Sequence, residues 1–226
     1  MKETGNDGGT ETVVSLNWYG QACFEISNSS TVVTDPHDGD SIGLGAPQLE
    51  ADIVTVSHDH YDHSSGVELV SKAATVTVEE SGEEVVGGVN IRGFESYHDK
   101  SEGEERGKNL IFTIDLDGIR ICHLGDLGHM LDSEKIEQLG DVDVLLTPVG
   151  GNFTIDGSEA AEITEEIDPQ VVVPMHYKIN GLQVPISGSE EFLDSLNEEY
   201  GLEERGELRL KALPEEKKVV KLACKV

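Results

Sequence analysis

Short apolar runs broken by Gly, Asn, Asp and Ser recur along the chain, and long amphipathic stretches are few. Val13 to Trp18, Cys23 to Ile26 and Thr31 to Thr34 alternate or run apolar between Gly and Asn-Ser turns, which predicts an antiparallel set of strands. Ile53 to Val56 predicts a short buried strand, and Val67 to Lys72 a helix. Strands are expected at Thr75 to Val78 and Val89 to Phe94, followed by a charged, glycine-containing loop from Asp99 to Lys108. Asn109 to Asp115 and Ile119 to Leu124 flank Asp117-Gly118, a hairpin signal. Further strands are predicted at Val142 to Leu146, Val171 to Val173, Glu207 to Leu210 and Val219 to Leu222. Helices are predicted over Ser133 to Leu139, Ser158 to Ile167 with Asp168-Pro169 as its stop, and Ser189 to Tyr200 with Phe192, Leu193 and Leu196 on one face.

The chemistry concentrates directly after the run at Ile53. His58-Asp59-His60-Tyr61-Asp62-His63 places three imidazoles and a carboxylate in the pattern H-x-H-x-D-H at a strand's carboxyl end, where open α/β folds carry their sites. His58 and His60 are two apart, so in an extended segment both point to one side and can share an ion. Asp62 and His63 suit a second ion once the chain turns at Ser64-Ser65. Imidazole with carboxylate favours zinc or another borderline first-row metal over calcium or magnesium.

The pattern resembles the metallo-β-lactamase superfamily, whose ligands lie at strand ends in fixed chain order. An early strand ending in aspartate is matched by Thr31-Val32-Val33-Thr34-Asp35, and a later histidine by Glu95-Ser96-Tyr97-His98. A Gly-Asp after a strand is matched by Gly125-Asp126, and a last histidine by Pro174-Met175-His176-Tyr177. The resemblance runs from about Trp18 to Phe192. Within the superfamily it is greatest to small metal-dependent hydrolases related to the ascorbate-phosphate lactonases, through Pro148-Val149-Gly150-Gly151-Asn152-Phe153-Thr154 and the Pro-Met-His-Tyr segment. It implies an α/β fold, a four-layer αββα sandwich. Relatives often carry Gly-His near the second strand where this chain has Gly20-Gln21, so that histidine's role is missing or taken by an amide.

Carried over residue by residue, the resemblance implies that His58, His60 and His98 bind one metal, that Asp62, His63 and His176 bind a second, and that Asp126 bridges both. The implied cofactors are two divalent ions, zinc first, with Mn2+ or Fe2+ as alternatives. The implied activity is hydrolysis of an ester, lactone or phosphoester by a bridging hydroxide. A phosphodiesterase or nuclease of the same fold, and a non-catalytic metal-binding protein that kept it, are the alternatives. The expected catalytic residues are Asp62 for proton transfer, Asp126, and His129 in a substrate or proton-transfer role. His123 and His129 compete with His98 for the third place at the first metal. Asp35 is expected to orient a ligand histidine rather than bind metal, and His37 to sit behind the site or at its rim. Arg106, Lys108 and Lys178 are the cations adjacent to motifs; each either holds an anionic substrate group or is an ordinary surface charge.

Composition narrows the class further. A chain of 226 residues fits one α/β domain, expected over residues 12–226 after a loose polar tail at residues 1–11. The start is polar and glycine-rich rather than a signal peptide, and no apolar run approaches the ~20 residues of a membrane span. Cys23, Cys122 and Cys224 are odd in number and set in apolar segments, which favours buried thiols and a reducing cytoplasm. The net charge of −29, from 45 acidic and 16 basic residues, argues against nucleic acid as partner and leaves a small-molecule substrate; it is compatible with a homo-oligomer. Acidic pairs such as Glu83-Glu84, Glu165-Glu166 and Glu203-Glu204 are expected on solvated helix faces and loops. Such an excess is associated with life in high salt, where screening is short-ranged, so a halophilic source is expected.

Overall fold

The structure is a computed structural model and describes residues 13–226. The tail expected at residues 1–11 lies outside the described residues. In chain order, β1 (Val14–Trp18), β2 (Phe24–Ser27), β3 (Thr31–Thr34), β4 (Ala51–Thr55) and β5 (Ser71–Val78) form a first sheet, antiparallel through β3 and parallel beyond it. The second sheet contains β6 (Gly82–Val86), β7 (Val89–Tyr97), β8 (Lys108–Leu116), β9 (Ile119–His123), β10 (Val144–Pro148), β11 (Val171–Met175) and β12 (Gly201–Arg205). The late strand β13 (Leu208–Leu210) returns to the first sheet beside β1, and β14 (Lys218–Leu222) enters the second between β11 and β12.

Alternation decides which residues meet between the sheets. Val32 and Ile53 join Leu16, Phe24, Phe112, Ile121 and Leu145 in one core that draws on both sheets, while their neighbours Val33 and Val54 point the other way, toward Val70. Val70 belongs to α1 (Val67–Val70), so the layer outside the first sheet is thin. Outside the second sheet, α3 (Gly157–Ile167) packs on β10 and against α4 (Glu190–Ser195). These are the layers of the expected αββα sandwich. At the predicted hairpin Asp117 and Gly118 both take positive φ, 50° and 83°, the combination a two-residue turn between twisted strands requires.

Several boundaries differ from the sequence expectation. The helix expected to reach Lys72 stops at Val70, because Ser71 already pairs with Ala51 as the first residue of β5. Asp132 caps α2 (Ser133–Leu139), accepting the Lys135 N–H at 2.7 Å, and Asp156 caps α3, which starts at Gly157 rather than Ser158, in a reciprocal box with Glu159. The last helix ends at Ser195, where Leu196 turns extended, instead of reaching Tyr200. Glu83-Glu84 and Glu203-Glu204 lie on β6 and β12, the two edge strands of the second sheet, not on helices or loops. Charge on an edge strand opposes pairing with another chain. Cys23 and Cys122 are fully buried and Cys224 half-buried, all as free thiols. Burial pushes the Cys122 thiol up to about 12. No helix among the described residues is long and apolar enough to cross a membrane.

Candidate metal centre

Strands β3, β4, β7, β9 and β11 run so that their carboxyl ends reach one edge of the sandwich, and each delivers a polar residue just beyond its end. These are Asp35, the His58–His63 segment, His98, Asp126 and His176. The segment after β4 is a tight turn rather than extended, with the His60 N–H bonded to the His58 carbonyl and those of His63 and Ser64 to the His60 carbonyl. The turn nonetheless brings His58 Nε2 within 2.9 Å of His60 Nδ1. His176 takes φ 50° and donates its backbone N–H to the Gln21 carbonyl at 3.1 Å, which aims its ring inward.

Three donor groups result: His58, His60 and His98; His58, His63 and Asp126; Asp62, His63 and His176, each with ligand-type atoms within 4.8 Å of one another. Asp126 stands between them. Its Oδ2 lies 3.1 Å from His63 Nε2, 3.3 Å from His98 Nε2 and 3.9 Å from His58 Nε2, and its Oδ1 lies 3.4 Å from His176 Nε2. Burial alone would raise the Asp126 carboxyl, but His176 and His63 hold it well below the usual carboxylate range. Burial and the nearby His63 push the His58 imidazole down to about 2, so it stays neutral with a lone pair available. His98 is likewise lowered, chiefly by burial.

The residues behind these donors set their tautomers. The Asp35 carboxylate accepts the Ser57 N–H at 2.7 Å, the Ser57 hydroxyl at 2.6 Å and His63 Nδ1–H at 3.0 Å, leaving His63 Nε2 to face Asp126. Burial would depress His63, but Asp126 and Asp35 hold its imidazole well above the usual value. With its own proton committed to Asp35, Ser57 Oγ accepts from His58 Nδ1 at 3.0 Å, and His58 presents Nε2 to the site.

A cation tests well against this arrangement. Asp126 Oδ1 and His63 Nε2 are buried and make no hydrogen bond, a cost of about 1–3 kcal/mol for each such group that coordination would remove. Five imidazoles and two carboxylates converge there, a nitrogen-rich donor set suited to borderline divalent metals.

Gln21, of the Gly20-Gln21 pair, reaches into the site with its amide. Its amide nitrogen donates to Asp62 Oδ2 at 2.9 Å and lies 2.9 Å from His176 Nε2. Asn109 on β8 gave no functional signal in the sequence, yet its Oδ1 accepts the Asp126 N–H at 2.9 Å while its amide nitrogen donates to Ser96 Oγ and the Leu124 carbonyl. That network explains the glycine of Gly125-Asp126. Gly125 has φ +58°, and a Cβ there would stand 2.3 Å from Asn109 Oδ1 and 2.7 Å from Ser57 Cβ. Gly125→Ala is expected to cost about 2–4 kcal/mol by strain and overpacking. Urea unfolding measures it, and an unchanged midpoint would mean the Asn109 contact is slack.

The two histidines weighed against His98 for the third place are not among the donor groups. His129 Nε2 accepts the Tyr97 N–H at 3.2 Å and its Nδ1–H donates to the Met130 carbonyl at 2.7 Å, so both ring nitrogens are committed to backbone. His129 thus ties the loop after Asp126 to β7, and it is not among the residues lining the cavity. His123 is equally occupied, donating from Nε2 to the Ala22 carbonyl at 2.9 Å and accepting the Gly125 N–H at 3.2 Å, and does not compete with His98. His37 is buried behind the site and bonds to the Tyr19 carbonyl, and Tyr177 is packed on Trp18 at a centroid distance of 4.9 Å.

A cavity of about 330 Å³ opens above the cluster. His60, Asp62, His98, Asp126 and His176 form its floor, and Tyr61, Arg106, Phe153 and Val184 its walls. Phe153 was visible in the sequence only as part of the Gly-Gly-Asn-Phe run, and Val184 carried no signal at all.

A two-sheet sandwich with imidazoles and carboxylates converging at one edge defines the class: a metal-dependent hydrolase of the metallo-β-lactamase fold. Residues 15–176 match the Beta-lactamase superfamily domain, and the chain belongs to that family. It is 33% identical to a UPF0173 metal-dependent hydrolase of Thermococcus onnurineus, with 73% of this chain and 85% of the relative covered. A UPF0173 metal-dependent hydrolase of Methanoculleus marisnigri is 35% identical over 72% of this chain and 80% of its own. A crystal structure from Thermotoga maritima, assigned to the metallo-β-lactamase superfamily, superposes with a TM-score of 0.77 at 36% identity, covering 92% of this chain and 98% of that one.

Proposed function

We propose that this metal-dependent hydrolase works with two divalent ions, zinc first and Mn2+ or Fe2+ as alternatives, and cleaves an ester, lactone or phosphoester bond in a small molecule. The observation that carries this reading is the position of Asp126, whose two oxygens face His98 and His63 on one side and His176 on the other. His58, His60 and His98 would hold one ion, and Asp62, His63 and His176 the other, with Asp126 shared. Two such ions, when bound, would supply a hydroxide nucleophile at neutral pH and polarise the oxygen of the bond to be cut.

The chain's own residues do the rest. Asp35 and Ser57 keep the His63 and His58 rings turned toward the site, so the donors need no reorganisation when a substrate arrives. Asp62 is steadied by the Gln21 amide and lines the cavity floor, where it can take a proton and return it to the leaving oxygen. Tyr61, Phe153 and Val184 present apolar surface that limits water around the reacting group. The acidic surface and free thiols fit a cytoplasmic protein of a salt-rich cell.

Elemental analysis of protein remetallated with zinc or manganese is expected to give close to two ions per chain. Less than one ion would sink the dinuclear reading. Turnover on p-nitrophenyl esters, lactones and bis-p-nitrophenyl phosphate separates the reactions: ester or lactone cleavage supports the proposal, and activity on the phosphodiester alone would make it a phosphodiesterase.

A further inference from the structure

We propose that the cavity receives a substrate bearing an anionic group, carboxylate or phosphate, on a small apolar body, and that Arg106 is the residue that binds the anion. The inference rests on the hydrolase reading for the reacting end of the substrate, and concerns the other end.

Of the cations adjacent to the motifs, two are already employed. Lys108 is exposed and paired with Glu95 at 2.8 Å. Lys178 Nζ donates to the carbonyls of Leu182 and Val184, so it braces the loop that carries Val184. Arg106 differs from both. It is half-buried, lines the cavity beside the floor, and has no carboxylate within ion-pair distance among the described residues, in a chain with 45 acidic residues to 16 basic.

Its surroundings hold the side chain in a receptive posture. The guanidinium lies over the Phe153 ring, 4.7 Å from the centroid. A guanidinium held over an aromatic ring gains a cation–π attraction and still has N–H donors for a second partner. The backbone beneath is pinned by Asp99, whose carboxylate accepts the N–H groups of Ser101, Gly103, Glu105 and Arg106 at 2.7–3.1 Å. The charged, glycine-containing loop from Asp99 is thus wound around one buried carboxylate, which fixes where Arg106 stands. The planar fork matches the oxygens of a carboxylate or phosphate. Tyr61, Phe153 and Val184 supply apolar contact, and about 330 Å³ lies at the small end of ligand cavities.

The test compares two esters with one leaving group, p-nitrophenyl butyrate and mono-p-nitrophenyl glutarate, on the zinc-loaded protein. The ratio of kcat/KM, anionic over neutral, is expected to fall by about 10- to 100-fold in Arg106→Gln, mainly through KM, the loss of a charge-assisted bidentate contact. Arg106→Lys should recover only part of it, because an ammonium is a point charge. Lys108→Gln, outside the cavity, should keep the ratio. Calorimetric binding of glutarate and of inorganic phosphate, in native protein and Arg106→Gln, gives a readout that needs no turnover. A weaker glutarate affinity in the variant names a carboxylate, and a weaker phosphate affinity names a phosphate. If no ester turns over yet one anion loses affinity, the esterase reading fails and the anion subsite stands. An unchanged ester ratio, or with no turnover an unchanged affinity for both anions, overturns the subsite.

Discussion

Asp126→Ala is expected to abolish hydrolysis, lowering kcat/KM by at least about 10²–10³-fold, and to empty the centre of part of its metal. The expectation follows from how many partners meet one carboxylate. His63, His98 and His176 all lie within 3.4 Å of its oxygens, and the group is 2% exposed, so no water can stand in for it cheaply. Asp126→Asn is the sharper variant, since it keeps the shape and the N–H bond to Asn109 while removing the charge. Activity assays paired with elemental analysis check both. An Asp126→Asn protein that is fully metallated and active would show that the shared group lies elsewhere.

The other large effect is expected from salt. With a net charge of −29, self-repulsion acts over ~30 Å at 0.01 M ionic strength and over only ~3 Å at 1 M. Among the described residues the surface ion pairs, such as Lys72 with Asp52 and Lys108 with Glu95, are few beside the chain's 45 acidic residues and weaken as salt rises. Repulsion among the excess carboxylates therefore outweighs these attractions, and screening should raise stability. A gain of a few kcal/mol corresponds to a midpoint higher by roughly 10 °C between 0.01 M and 1 M potassium chloride. Thermal unfolding of the metal-free protein is the direct measurement, because bound cations offset charge only at the site. A flat midpoint would leave the acidic surface as a solubility device and remove the argument for a salt-rich cell.

The centre was legible because its signal is local and chemical. Three histidines and two aspartates within His58–His63 follow an apolar strand, and the remaining donors each follow another apolar run, so strand ends and polar residues coincide along the chain. What was not legible depends on partners far away in sequence. β6 and β12 are edge strands rich in glutamate, and they are strands because β7 and β14 offer them hydrogen bonds, not because their own residues prefer it. The idle state of Arg106 and the full employment of His129 could not be read either, since Phe153, Tyr97 and Met130 decide them through the folded geometry. Asn109 belongs with these: a lone asparagine opening an apolar strand says nothing until Asp126 is seen to rest on it.

The return of β13 to the first sheet has a kinetic consequence. Val14 pairs with Leu210 and Trp18 bridges to Cys224, so β1 waits for partners far downstream of it in the chain. While the ribosome is still producing residues 208–224, β1 must stand as an open edge with Leu16 and Trp18 attached to a half-built core. Long-range pairings of this kind are slow to close, and unpaired edges are where nascent chains associate. The repulsion expected in the folded protein in dilute buffer would act earlier as protection, keeping partly folded copies apart until β13 and β14 dock.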